Sequence, residues 1–292
     1  MFQYEEPLFR PPSEATSLIF QITIGCSQNS CSFCGMYKHK RFRLRPVEEI
    51  VTEIEAIPTP YRAGIRRVFL ADGDALVYPL EGLLHILARL SEAYPNLTRV
   101  GAYASPNSLT TKSSEELALL REQKLRILYF GLESGDDDTL QLVNKGFSAA
   151  VMLDMCRKAQ ASGMKLSVTA ILGLAGRLRS AEHAAGTADW INRLSPEYFS
   201  LLTLFSRHNQ DYFKQVTQQT RGEILEEALA IVSRLSPNRT ILRSNHASNF
   251  LNLAGSYPKD RERLIADVQS AIAMARRHRD WYDEFPDYGE DY

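Results

Sequence analysis

The first long apolar run of the chain has the sequence LIFQITI, Leu18–Ile24, and is followed almost at once by CSQNSCSFC, Cys26–Cys34. Apolar and β-branched residues dominate the first segment, which predicts a buried strand. The second segment holds three of the four cysteines of the chain within nine residues. Cysteines of a disulfide framework are spread along a small secreted chain instead. We therefore expect a loop after the first strand whose three thiols form a set of metal ligands.

Strand-like and helix-like segments alternate from this loop to about residue 205. The strands are short, and the stretches between them show helical spacing of apolar residues, a pattern typical of parallel strands joined by crossover helices. Predicted strands are Leu18–Ile24, Arg67–Leu70, Arg99–Tyr103, Ile127–Gly131, Leu166–Leu172 and Tyr198–Leu202, with a seventh extended stretch at Thr240–Arg243. Helices are predicted to begin at Pro46 and near Ser113, and to cover about 80–94, 148–162, 180–194, 222–235 and 260–279.

This alternation predicts an α/β protein, specifically a partial (β/α)6-type barrel with a C-terminal α-rich extension. We expect an N-terminal extension at 1–17, the barrel at 18–205, an extension with helices and one extended stretch at 206–279, and an acidic aromatic tail at 280–292. The tail is interpreted either as a mobile segment or as a lid that packs its aromatic rings over the barrel mouth.

Composition limits the classes of partner. The chain has 292 residues and a formal net charge of −1, which argues against binding nucleic acid by bulk electrostatics. The sequence has no apolar run of about 18 residues, the length that a membrane span needs, and its start lacks the basic region of a secretory signal. We expect a cytoplasmic protein without a membrane partner.

The cysteine spacing, C-x4-C-x2-C, leaves more than one metal open. Structural zinc requires four ligands, and the remaining candidates are His39 and the distant Cys156. A ferredoxin cluster also requires four cysteines. Three thiolates on one loop would leave one iron of a four-iron cluster without a protein ligand, and an open metal position is where chemistry takes place. Cys156 lies in a helical stretch, where we expect a buried structural thiol.

This cysteine loop after the first strand of a β/α barrel, with Phe33 just before the last cysteine, resembles the radical S-adenosylmethionine (SAM) superfamily. The loop is one residue longer than the usual C-x3-C-x2-C of that family. The resemblance implies a 4Fe-4S cluster ligated by Cys26, Cys31 and Cys34, whose open iron binds SAM. It further implies reductive cleavage of SAM to a 5′-deoxyadenosyl radical that abstracts hydrogen from a substrate.

Three further segments are similar to the SAM-binding motifs of that family, and each follows a predicted strand. They carry the implied cofactor-binding residues. ADGD at 71–74 resembles the Gly-Gly-Glu segment, GLESGD at 131–136 followed by NKG at 144–146 resembles the G-(I/L)-E-S-G…K-G signature, and ILGLAG at 171–176 resembles the adenine-lining segment. The signature is typical of the branch with coproporphyrinogen-oxidase-like enzymes, methylthiotransferases and the Elongator radical domain. The implied residues are Asp72, Gly73, Asp74, Glu133, Ser134, Gly173 and Leu174.

Two segments outside these motifs are candidates for substrate contacts. Arg41, Arg43 and Arg45 follow the cysteine loop and could pair with a carboxylate or phosphate, or could form a solvated edge. After the seventh extended stretch, His246 is the candidate catalytic acid or base, with Asn245 and Asn249 as contacts. The alternative is a hydrogen-bonded loop that anchors the C-terminal helix.

The predicted function is therefore that of a radical SAM enzyme acting on an unknown small or medium-sized substrate. A low-potential donor such as flavodoxin or ferredoxin would supply the electron. The alternatives are an RNA-modifying radical SAM enzyme, which the balanced charge disfavours, and a non-catalytic iron–sulfur or zinc protein.

Overall fold

The computed structural model describes residues 4–204 and 210–286. Contacts divide the chain into two compact units. The first contains the chain up to Asn29, Met36–Phe130 and Asp154–Leu166. The second contains Ser30–Gly35, Gly131–Leu153 and the chain from Ser167 onward.

The strands of the described residues match the six predicted ones and the seventh extended stretch. The first predicted strand is divided in two, and two further short strands are present. Their bounds are β1 (Leu18–Gln21), β2 (Thr23–Ile24), β3 (Arg43–Leu44), β4 (Arg67–Ala71), β5 (Arg99–Ala104), β6 (Leu125–Glu133), β7 (Lys165–Leu172), β8 (Tyr198–Thr203), β9 (Ile241–Arg243) and β10 (Ala254–Ser256).

Helices occupy most of the connections between these strands. They are α1 (Val47–Ala56), α2 (Thr59–Arg62), α3 (Leu80–Ala93), α4 (Pro106–Thr110), α5 (Ser114–Glu122), α6 (Asp137–Leu142), α7 (Ala149–Ala161), α8 (Ser180–Leu194), α9 (Gln210–Phe213), α10 (Arg221–Arg234), α11 (Arg261–Ala275) and α12 (Arg279–Tyr282). Short 3-10 turns cover Pro12–Glu14, Ala75–Val77 and Arg177–Arg179. No helix in the described residues has both the length and the apolar composition that crossing a membrane requires.

In the first unit, β1, β4, β5 and β6 pair in parallel in that order. The register places Leu18 beside Val68, and Val68 beside Val100. The Val68–Ala71 run of β4 is fully withdrawn from solvent, as expected for a parallel strand covered on both faces. Parallel pairing brings the carboxyl ends of β1, β4 and β5 to the same edge.

In the second unit, β7, β8 and β9 are parallel neighbours, and β10 pairs antiparallel with β9. Phe199 of β8 lies between Val168 of β7 and Leu242 of β9. Helix α10 begins with a capping box, in which the Thr220 hydroxyl accepts from the Glu223 amide and the Glu223 carboxylate accepts from the Thr220 amide.

The first predicted strand is divided in the structure. Strand β1 ends at Gln21, and Thr23–Ile24 turn away to pair antiparallel with Arg43–Leu44 in a separate two-stranded sheet. Neither Arg43 nor Leu44 is buried, so β3 is a short exposed strand. Strand β10 is also absent from the sequence prediction, because AGS has no alternation of apolar and polar residues.

The C-terminal segment contacts α10 as far as Glu284, whose carbonyl accepts from the Arg221 amide. The Tyr282 ring lies over Gly222, where an added Cβ would come within 2.3 Å of the ring. The Arg221 guanidinium lies near the rings of Phe250 and Trp281, at 5.8 Å and 5.5 Å from their centroids. Residues 287–292 of the predicted tail, and the barrel boundary predicted at 205, lie outside the described residues. The expected boundaries between the N-terminal extension, the barrel, the C-terminal extension and the tail stay predictions. The contacts within the chain group β7 and β8 with the C-terminal helices.

Candidate active site

Cys26 lies against the segment that follows β4. Its Sγ is 3.7 Å from the carbonyl oxygen of Gly73, and the Gly73 amide donates to the carbonyl of Gly25 at 3.1 Å. A Cβ on Gly73 would come within 2.8 Å of the Cys26 Cβ and 2.7 Å of the Tyr37 ring. Position 73 therefore requires glycine, because any side chain would displace the first cysteine or the tyrosine.

Asp72 is fully buried at the end of β4. Its Oδ2 accepts from Lys40 Nζ at 2.9 Å, from the Gly25 amide at 3.0 Å and from Gln21 Nε2 at 3.1 Å. Its Oδ1 is buried and has no hydrogen-bond partner in the structure. A buried carboxylate oxygen without a donor is costly, so this atom is suited to accept from a bound cationic group.

Asp74 binds groups of its own chain. Its Oδ2 accepts from the Ser105 hydroxyl at 2.6 Å and from the Ser27 hydroxyl, and its Oδ1 accepts from the Ser105 amide at 3.1 Å. Burial raises the pKa of Asp74 above its ordinary value, although the serine hydrogen bonds act in the opposite direction. Asp74 therefore joins the residue after Cys26 to the end of β5.

Cys31 and Cys34 lie in the second unit. Cys31 and Phe33 belong to a packed cluster with Val143 and Leu174, and Cys34 packs at its edge. The Ser32 amide donates to the Val143 carbonyl at 2.9 Å. The second half of the cysteine loop is thus held against the NKG turn and the segment that resembles the adenine-lining motif.

Glu133 ends β6 with a φ of +66°, a left-handed conformation that is uncommon for a residue other than glycine. Its carboxylate folds back over Gly131, where an added Cβ would come within 2.1 Å of Glu133 Oε1. Lys145 Nζ binds the same oxygen at 3.0 Å, and both side chains are largely buried. The glutamate and the lysine of the predicted signature are therefore one ion pair.

Ser134 and Gly135 pack against α8. Ser134 Oγ lies 2.8 Å from His183 Nδ1 and accepts from the Asp136 amide at 3.0 Å. A Cβ on Gly135 would come within 2.2 Å of the Gly186 carbonyl oxygen. The second glycine of the signature thus permits close approach of the loop to this helix.

Gly173 turns the chain after β7 with a φ of +80°. Its amide donates to Glu227 Oε1 at 2.8 Å, and the carbonyl of Leu174 accepts from the Tyr212 hydroxyl at 2.5 Å. Both ends of this turn are therefore fixed by side chains from later helices.

The three candidate arginines differ in their surroundings. Arg43 pairs with Glu5, and both side chains are about half exposed. Arg45 binds Glu53 at 2.8 Å, while Arg41 is exposed. Arg43 and Arg45 also line a cavity of about 270 Å³ beside β3. Their roles as anion or substrate contacts stay predictions.

The loop after β9 is hydrogen-bonded to the end of β8. Asn249 Oδ1 accepts from the Thr203 hydroxyl at 2.9 Å, and its Nδ2 donates to the Leu201 carbonyl at 2.7 Å. His246 Nδ1 lies 2.8 Å from Ser248 Oγ, and burial lowers the pKa of His246. Asn245 is exposed. The predicted roles of Asn245, His246 and Asn249 in substrate binding or catalysis are not tested by this geometry.

Sequence reasoning missed three buried charged or titratable residues of these segments: Lys40, His183 and Glu227. Lys40 immediately precedes the candidate arginines, and the other two lie inside helices α8 and α10. Each has its partner far along the chain, so a local pattern carries no signal for them.

The chemistry of these residues fits the two cofactors implied by the resemblance. The thiols of Cys26, Cys31 and Cys34 are the donor type that iron–sulfur clusters use. Asp72 Oδ1 is a buried acceptor without a partner, as an ammonium group requires. Across residues 4–204 and 210–286, no three His, Cys, Asp or Glu side chains form a site for a single metal ion.

Comparisons with known proteins agree with the motifs. The family model described as Radical SAM superfamily matches residues 20–188. The chain is 25% identical to the heme chaperone HemW of Bacillus subtilis, over 63% of this chain and 49% of HemW. It is 29% identical to the tRNA-2-methylthio-N(6)-dimethylallyladenosine synthase of Alkalilimnicola ehrlichii, over 57% of this chain and 38% of the synthase. The predicted family and its 4Fe-4S and SAM cofactors are thereby confirmed.

Among solved structures, coproporphyrinogen III oxidase HemN of Escherichia coli is similar with a TM-score of 0.58 and 16% identity. The match covers 75% of this chain and 52% of HemN. At this identity the likeness shows the fold alone, and it confirms the predicted α/β class of partial barrel. The chain spans about half or less of the length of these curated relatives.

Proposed function

Because the chain belongs to the radical SAM superfamily, we propose that it is an enzyme that cleaves SAM reductively at a 4Fe-4S cluster. The proposed ligands of the cluster are Cys26, Cys31 and Cys34. The proposed product of the cleavage is a 5′-deoxyadenosyl radical, which takes a hydrogen atom from a small or medium-sized substrate. When bound, the cluster and SAM supply the radical chemistry, while the protein supplies binding, orientation and exclusion of water.

One observation carries this proposal: in each unit, the cysteine loop contacts a segment implied to bind SAM. In the first unit, Cys26 Sγ lies 3.7 Å from the Gly73 carbonyl oxygen. In the second unit, Cys31 packs in one cluster with Leu174. The sequence separates these pairs by more than 40 residues, so their proximity is independent of the motif matches.

The residues proposed to hold SAM have distinct tasks. Asp72 Oδ1 is the free acceptor for the methionine ammonium group, since Oδ2 is occupied by Lys40 and two other donors. Asp74 holds the loop after Cys26 in place through Ser27. Glu133 and Ser134 form one wall of the site, and Gly173 with Leu174 lines the adenine.

The substrate is proposed to be a small molecule rather than RNA. The net charge of −1 supplies no general attraction to a polyanion. His246 is the proposed catalytic acid or base. The proposed anion or substrate contacts are Arg41, Arg43, Arg45, Asn245 and Asn249. A low-potential flavodoxin or ferredoxin is the proposed electron donor.

Anaerobic reconstitution tests the proposal. Wild-type protein is expected to bind about four irons per chain and to form 5′-deoxyadenosine from SAM when reduced with dithionite. Single alanine variants of Cys26, Cys31 and Cys34 are expected to lose both properties. Cys156→Ala is the matched control, because it removes a thiol buried in α7 and should keep the iron and the activity.

Two results would reject the proposal. The first is a reconstituted wild-type protein that binds one zinc per chain and no SAM, which would support a structural metal site instead. The second is full iron content in all three cysteine variants.

A separate experiment distinguishes the two substrate classes. It measures transfer of deuterium into 5′-deoxyadenosine from a labelled metabolite pool and from labelled RNA.

A further inference from the structure

Two buried side chains of the second unit, His183 and Glu227, hydrogen-bond the two segments proposed to hold SAM. Ser134 Oγ lies 2.8 Å from His183 Nδ1, and His183 Nε2 lies 3.7 Å from Glu227 Oε1. The same Glu227 oxygen accepts from the Gly173 amide at 2.8 Å. The side chains of His183 and Glu227 are completely withdrawn from solvent.

The Ser134 hydroxyl can accept one hydrogen bond and donate another. Ser134 Oγ accepts from the Asp136 amide, so its own proton is available for His183 Nδ1. In the tautomer that accepts at Nδ1, His183 carries its proton on Nε2, which is buried 3.7 Å from Glu227 Oε1, beyond hydrogen-bond distance. The Ser134 hydroxyl is thus engaged by the loop and by α8.

Glu227 is held at both of its oxygens. Oε2 accepts from the Ser180 hydroxyl, and the Gln219 amide group donates to the same serine at 3.2 Å. Oε1 receives the Gly173 amide, which belongs to a turn whose φ of +80° only glycine adopts readily. Without Glu227, this buried amide would have no partner, and the turn would lose its fixed geometry.

We propose that His183 and Glu227 are positioning residues for SAM. They fix the Ser134–Asp136 turn and the Gly173 turn in the bound geometry before the ligand arrives. A site arranged in advance binds more tightly, because the ordering of its loops does not have to occur on binding. This inference rests on the proposed function, since it assumes that both turns contact SAM.

Equilibrium dialysis of radiolabelled SAM with reconstituted protein tests the inference. Glu227→Ala is expected to weaken SAM binding tenfold or more, because it leaves a buried amide unpaired. Glu227→Gln is expected to restore binding to within about threefold of wild type, since the amide oxygen can still accept from Gly173. His183→Leu and His183→Asn form the second pair, in which asparagine keeps an acceptor near the Nδ1 position.

Hydrogen exchange of the SAM-free protein provides a readout that is independent of binding. The Gly173 amide is expected to exchange faster in Glu227→Ala, and the Asp136 amide faster in His183→Leu. Thr240→Val is the matched control, because it removes a buried hydrogen bond from Thr240 to the Pro196 carbonyl at the other end of the strands. It should lower the melting temperature without changing SAM affinity.

The outcomes are distinguishable. If wild-type protein does not bind SAM, the proposed function fails and this inference fails with it. If wild type binds SAM while Glu227→Ala and His183→Leu bind it equally well, only the inference is overturned. If Glu227→Ala and His183→Leu both fail to fold, the conservative variants Glu227→Gln and His183→Asn decide. Wild-type SAM affinity together with unchanged exchange at the Gly173 and Asp136 amides supports the inference. Tenfold losses of affinity in these two variants contradict the inference.

Discussion

Lys40 and Asp72 form a buried ion pair in the first unit: Nζ lies 2.9 Å from Oδ2, and the side chains are 3% and 0% exposed. The ammonium group also donates to the carbonyl oxygens of Glu5 and Pro7. All three of its protons therefore have acceptors, and Lys40 joins the N-terminal segment to the end of β4. Asp72 keeps one oxygen without a partner.

Lys40→Met is expected to lower the free energy of unfolding by about 3–5 kcal/mol, because removing one partner leaves an uncompensated charge in the interior. Urea denaturation at neutral pH measures the change. The control is Arg43→Ala, which breaks the exposed pair with Glu5 and should change stability by about 0–1 kcal/mol. Equal effects of the two substitutions would contradict the assignment of Lys40 to a buried pair. Adding Asp72→Asn to Lys40→Met should recover part of the loss.

Asp74 is expected to make the protein less stable as pH rises. Burial raises its folded-state pKa above the ordinary value of 3.8, so its contribution is fully present below pH 3.8 and is lost as pH rises through the folded pKa. The unfolding free energy of wild type minus that of Asp74→Asn should therefore fall as pH rises from 3.8 through the folded-state pKa of Asp74. Urea denaturation at a series of pH values measures the difference.

Asp136 provides the control of opposite sign. Burial acts to raise its pKa, but the hydrogen bonds from Arg179 and Thr139 outweigh burial and lower it. Its contribution is present above pH 3.8 and is lost as pH falls through the lowered pKa. The unfolding free energy of wild type minus that of Asp136→Asn should therefore rise with pH. Equal pH slopes for the Asp74→Asn and Asp136→Asn differences would contradict the opposite pKa shifts of the two carboxyl groups.

Gly73→Ala is expected to disturb the first cysteine. The new Cβ would meet the Cys26 Cβ at 2.8 Å and the Tyr37 ring at 2.7 Å, and such overpacking typically costs about 1–3 kcal/mol. We expect less iron per chain after anaerobic reconstitution, together with lower stability. Gly64→Ala is the control, because its Cβ would meet one backbone oxygen at 3.3 Å. Normal iron content in Gly73→Ala would show that the Cys26 position tolerates a shift.

His246 is expected to be neutral at pH 7. Burial lowers its pKa below 6.5 in the folded protein, so its stabilising contribution is present above pH 6.5 and is lost as pH falls through the folded pKa. NMR titration of ¹³C-labelled histidine should give a lower pKa for His246 in the folded chain than in the urea-unfolded chain. A pKa at or above 6.5 in the folded protein would exclude burial as the dominant influence.

Much of the fold could be predicted from local patterns. The helix predicted at 180–194 is Ser180–Leu194 in the structure. Such a helix can be predicted because the spacing of its apolar residues and its backbone hydrogen bonds involve only residues close together in the chain. The small sheet of β2 and β3 could not be predicted in this way. Its two strands have two residues each, too few to show a period.

The sequence by itself determined the order of the longer strands and helices, the cysteine spacing and the glycine positions, since these depend on residues close together in the chain. Only the tertiary structure decided that Lys40 binds Asp72, which lies 32 positions away, and that His183 is hydrogen-bonded to Ser134, which lies 49 positions away. The physical reason is that a buried polar group takes its partner from whichever element packs beside it. That choice depends on the packing of whole elements, which no local spacing records.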